Sequence, residues 1–144
     1  MTRFIMSIVV LAMALAGSGC GKTNLHRTAG RVTKGGEDFI PPEGEYLQIA
    51  LTPIPKDGKP PRNSYFASVD QTAGTFFAAG PQLQGVPPGK YRISVELMKQ
   101  KKDQFGSRFD ADRSPFVFDI DEDTEEIVID LDSAPLEIKM AESD

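Results

Sequence analysis

"KYRISVELM", residues 90–98, is the stretch on which the fold turns. Tyr91, Ile93, Val95 and Leu97 fall on one side of it, and Arg92, Ser94 and Glu96 on the other. That period of two is the signature of a strand with one face in a core and one in water. A helix would spread the same apolar side chains all around its axis. "EYLQIALT" repeats the pattern with Leu47, Ile49 and Leu51 inward, "SPFVFDI" with Phe116, Phe118 and Ile120, and "EEIVIDL" with Ile127, Ile129 and Leu131. Shorter candidates are "AGRVTK", "SYFASVD" and "GTFFAAG". Turn signals separate them: Gly35-Gly36, Pro41-Pro42, Asp57-Gly58, Pro87-Pro88-Gly89 and residues 121–124. Pro88-Gly89 suits a type II turn, since proline presets the second position and glycine supplies the positive φ of the third. About seven short strands with no amphipathic helix predict an all-β fold, a single antiparallel β-sandwich spanning residues 28–138.

The N-terminus reads differently. Arg3 precedes an apolar run from Phe4 to Ala16, followed by small residues, which is the layout of an export signal. The run is shorter than the ~18 residues that span a bilayer. "AGSGCGKT" also carries the relaxed spacing of a phosphate-binding loop, with Ala16 at its first position. Such a loop must open a long helix, and the glycines and prolines of "NLHRTAGRVTKGGEDFIPPEG" do not supply one.

Two cleavage points compete. Ala14-Leu15-Ala16 is an A-x-A site that would release a soluble chain starting at Gly17. "AGSGCG" resembles a bacterial lipobox, with Gly17 at the place usually held by Leu. That resemblance implies a signal peptide over residues 1–19 and an acylated Cys20 heading a lipidated tether over residues 20–27. Cys20 is the sole cysteine of the 144 residues. An exported chain with one cysteine has no internal disulfide to make, so Cys20 is either a free thiol or modified, and its place at the cleavage zone favours modification.

Composition narrows the functions. The chain carries 16 Lys+Arg against 21 Asp+Glu, a net charge of -5 that becomes more negative once Arg3 is removed. An acidic chain is a poor match for nucleic acid or an anionic membrane surface. Its one histidine, His26, falls in the tether, so the body lacks the base that a Ser/His/Asp or Cys/His site requires. A domain of this size also has little room for a sugar-cleaving carboxylate pair. Residues 139–144 read as an acidic tail.

The ordered series "GRVTKGG", "LQIALTPIPKDGKPPRNSYFASVDQTAGTF" and "LQGVPPGKYRISV" resembles the carboxypeptidase regulatory-like, transthyretin-like sandwich modules, over roughly residues 29–97. The shared features are an opening Gly-x-Val strand, an Asp/Gly turn before a Phe-bearing strand, and a Pro-Gly-Lys-Tyr run leading into a strand. "FGSRFDADRSPFVFDI" is similar to the C-terminal part of small planctomycete lipoproteins that carry the module. The resemblance implies an immunoglobulin-class sandwich in the cell envelope and brings no catalytic residue with it.

Two segments stand out as binding candidates. Residues 99–113 form the one basic patch: Lys99, Lys101, Lys102, Arg108 and Arg113, interleaved with Phe105 and Phe109, could dock an envelope protein or a polysaccharide. Asp119, Asp121 and Asp123 have the alternate spacing of a calcium loop, but Thr124 stands where that loop needs glycine. The expectation for residues 121–124 is therefore a polar hairpin tip joining strands 116–120 and 127–131, with no metal and no cofactor. The sequence thus predicts a non-catalytic, lipid-anchored envelope protein holding one β-sandwich with a structural or binding role. The alternative is a soluble exported or periplasmic module that binds carbohydrate or calcium.

Overall fold

The computed structural model describes residues 24–61 and 63–133. The expected lipidation site Cys20, both cleavage points and the acidic tail lie outside the described residues. Ten strand segments occur within them: β1 (Thr28–Lys34), β2 (Glu37–Asp38), β3 (Tyr46–Pro53), β4 (Tyr65–Phe66), β5 (Ser68–Asp70), β6 (Thr75–Ala78), β7 (Gly89–Lys99), β8 (Lys102–Asp103), β9 (Val117–Ile120) and β10 (Glu126–Asp130). Seven of them have three residues or more, which matches the expected number. There is no α-helix among the described residues.

The strands form two sheets packed face to face, a β-sandwich. One runs β10-β1-β6-β5, with β2 paired to β1; the other runs β4-β3-β7-β8, with β9 also on β7. Pairing is antiparallel except for β1 with β10, which is parallel in the register Ala29↔Glu126 to Thr33↔Asp130. The longest ladder joins β3 to β7, from Tyr46↔Met98 to Pro53↔Tyr91. Its inward residues, Leu47, Ile49, Leu51, Ile93 and Val95, are all nearly or fully buried. They meet Val32, Phe76, Ile127 and Ile129 from the opposing sheet in one core. Burying each such side chain contributes about 1.5–3 kcal/mol before the cost of ordering the chain.

Two local expectations are corrected. "SYFASVD" is not a single strand: Tyr65–Phe66 pairs with β3 in one sheet, and Ser68–Asp70 pairs with β6 in the other. The chain changes sheets at Ala67, whose N–H donates to Ile49 O at 2.9 Å. Residues 121–124 are likewise no hairpin tip. β9 pairs with β7 and β10 pairs with β1, so this acidic turn carries the chain from one sheet to the other.

The body also begins before its first strand. His26 forms a bridge to Val86, with N–H to O distances of 2.8 and 2.9 Å, so this part of the expected tether is pinned to the sandwich.

Candidate functional site

The basic segment is an organised edge rather than an open loop. Gln100 and Lys101 both have positive φ, which a tight two-residue hairpin between β7 and β8 requires. Beyond it, one carboxylate of Asp103 accepts three backbone N–H groups: Leu97 at 3.0 Å, Phe105 at 3.0 Å and Ser107 at 2.7 Å. The chain then runs back along β7, with Val95 N–H donating to Phe109 O and Ile93 N–H to Phe116 O.

The two phenylalanines therefore point inward. Phe109 is 1% exposed and stacks on Phe116 with centroids 5.2 Å apart. Phe105 is half-buried between Phe109 and Phe39, at 5.6 and 6.1 Å. Phe109 is a core residue, and the docking role expected of it is withdrawn. The cations do not converge either. Lys99 pairs with Glu45 at 3.1 Å, while Arg108 lies over the Phe109 ring at 4.9 Å and donates to Ser133 O at 3.3 Å. Lys101, Lys102 and Arg113 are exposed.

The acidic stretch is occupied with its own backbone. Asp121 Oδ1 accepts the Asp123 N–H at 3.0 Å and the Thr124 hydroxyl at 2.9 Å. Thr124 is thus the residue that closes this turn, in place of the glycine a calcium loop would use. Asp119 faces Lys90 at 3.8 Å. No group of three or more His, Cys, Asp or Glu side chains among the described residues is placed to hold a metal ion.

A concave site lies elsewhere, at the end of the sandwich where β3 leaves and β7 begins. Here a cleft of about 560 Å³ opens between the strap 53–56 and the segment 87–91, with Tyr65 between them and Asp119 at the lip. Two features hold the strap: Pro53 and Pro55 have fixed φ, and Ile54 N–H donates to Lys90 O at 2.8 Å. Opposite it, Tyr91 donates its hydroxyl to Pro87 O at 2.6 Å, holding the Pro87-Pro88 turn against the strand. The Tyr65 and Tyr91 rings meet edge to face at 6.1 Å. Burial, and then the neighbouring Tyr65, push the Tyr91 phenol up to about 12. Lys56 in the wall and Lys90 at the rim are both exposed.

A second cleft of about 280 Å³ shares Pro53, Ile54 and Pro55 as its wall. Its cation is Arg92, whose Nη1 makes only a long 3.5 Å bond to Ala111 O and whose Nε is buried without a partner. The sequence contained every residue of both clefts, but the prolines read only as turn signals and the tyrosines only as strand residues. What brings them together is the β3–β7 register, which sets Pro53 beside Tyr91 and Thr52 beside Arg92.

No protein-family profile matches the chain, and no curated protein or solved structure shows significant similarity to it.

Proposed function

We propose that this chain is a non-catalytic, lipid-anchored envelope protein whose β-sandwich is a binding module, with the end cleft as its recognition surface. The cleft carries this reading. Ligand sites are concave, largely apolar, and furnished with a few fixed polar groups, and this one is lined by prolines and Tyr65 over the buried Tyr91, with Lys56, Lys90 and Asp119 as its charges. Those are groups for holding a ligand; a hydrolytic site would need an activated nucleophile or a spaced acid/base pair beside them. The export signal and the lipobox-like Cys20 support the placement in the envelope. A polysaccharide is favoured over a protein partner because the basic edge at 99–113 spends its phenylalanines on the core.

Co-sedimentation of the full chain with purified envelope polysaccharide tests the reading. Pelleting that is lost in Tyr65→Ala, with the fold intact, and kept in Lys101→Gln/Lys102→Gln is the expected result. Loss in the lysine variant alone would move the site to the basic edge, and the absence of pelleting would refute a polysaccharide-binding role.

A further inference from the structure

The two clefts differ from a small-molecule pocket in one respect: they lie on either side of a single narrow wall. Pro53, Ile54 and Pro55 line both. A ligand long enough to cross that wall meets Lys56 and Lys90 on one side and Arg92 on the other. Paired clefts across a ridge suit successive units of a polymer.

The wall also limits which polymer fits. Peptides are commonly bound by main-chain hydrogen bonds, and this surface has few donors to give. Pro53, Pro55, Pro87 and Pro88 have no N–H, and the Ile54 N–H is already given to Lys90 O at 2.8 Å. What it does present is ring faces and cationic heads. A sugar ring has a C–H face that packs on aromatic rings, whose π faces attract the partly positive hydrogens, and on the apolar rings of proline through dispersion. A carboxylate on the same sugar would supply the partner for a cation.

The cations have little internal competition. No ion pair is made by Lys56 among the described residues, and Lys90 has only the distant, exposed Asp119 at 3.8 Å. Arg92 is tied by one long bond, and Asp112 is the carboxylate lining its cleft.

We infer that the paired clefts bind an extended, carboxylate-bearing polysaccharide, with Tyr65 and the prolines packing on sugar faces and Lys56, Lys90 and Arg92 pairing with carboxylates. This rests on the reading of the sandwich end as a binding surface and specifies its ligand.

The test is titration of the full chain at low ionic strength with an oligogalacturonate hexamer, followed by calorimetry and by amide chemical shifts. Its dimer, its methyl ester and a neutral glucan hexamer serve as comparison probes. The acid hexamer is expected to bind and to shift residues on both sides of the strap 53–55. Lys56→Gln and Arg92→Gln should each weaken it about tenfold, the order expected for one charge-assisted contact, while Lys34→Gln on the far strand has no effect. The dimer and the ester should bind at least tenfold more weakly. Amide spectra establish that each variant is folded.

Equal binding of the ester or the neutral glucan, with shifts at Tyr65 and Tyr91, would overturn the carboxylate claim and leave the cleft as a binding site. Binding that neither Lys56→Gln nor Arg92→Gln weakens would overturn the assignment of the cations. No shift at the cleft with any of these probes would overturn both the ligand class and the reading on which it rests.

Discussion

Gly30 lies directly beneath the ring of Phe76. A Cβ built on Gly30 would stand 2.6 and 2.7 Å from Cε1 and Cε2 of that ring, and closer still to Cζ. Phe76 is 1% exposed, so the ring has nowhere to retreat, and the glycine of the "GRV" run is a packing requirement between β1 and β6. Gly30→Ala should destabilise the sandwich by about 1–3 kcal/mol, the usual cost of overpacking a core. Urea unfolding would measure this. In the Phe76→Leu background the same change should cost much less, because the clash is with the ring.

Gln71 acts as a substitute strand. From the turn after β5, its Oε1 accepts the Leu47 N–H at 2.7 Å and its Nε2 donates to Leu47 O at 2.8 Å, so one side chain ties the first sheet to the free edge of β3. Gln71→Ala would leave both backbone groups unpaired where water is scarce, at a cost of about 1–3 kcal/mol. Amide exchange at Leu47 should accelerate. Gln71→Glu keeps the acceptor but sets a carboxylate against Leu47 O, so it should not restore stability at neutral pH.

Asp103 organises the basic edge through its three accepted N–H bonds. Asp103→Ala should loosen residues 103–109 selectively, seen as faster exchange at the Phe105 and Ser107 amides, with a global loss of about 1–2 kcal/mol. Unchanged protection there would show that the Phe105–Phe109 stack alone holds the segment.

Tyr91 makes the fold sensitive to alkali. Its phenol is pushed up to about 12 in the folded chain by burial and then by Tyr65, against an ordinary value of 10.0. The folded state therefore favours the protonated form. This contribution is fully present below pH 10 and is lost as pH rises from there through 12, on the order of 2 kcal/mol in all. Thermal melts across that range should show a steeper fall for the wild type than for Tyr91→Phe.

The sandwich was legible because burial on one face imposes period two, and residues 90–98 show it without a break. Periodicity says which side chains face the core; it does not say which sheet they come from. In "SYFASVD", Tyr65 and Val69 both turn toward the core, yet they belong to opposite sheets, and the crossing at Ala67 leaves no mark in the alternation. The turn at residues 121–124 is ambiguous in sequence for the same reason. Asp121 and Thr124 close a turn equally well between paired strands and between sheets. Phe109 has charged neighbours in sequence, but its surroundings in space are set by β7 and Phe116. The cleft is a product of register across β3 and β7, which is long-range information that a local reading of proline and glycine does not contain.

The central claim, a binding module tethered in the envelope, is tested most directly by the intact mass of the protein taken from its native membrane fraction, beside a Cys20→Ala variant. The account predicts a chain beginning at Cys20 with acyl groups added, and a variant that leaves the membrane. An unmodified chain beginning at Gly17 in the soluble fraction would contradict the anchor and make this a diffusible module with a free thiol.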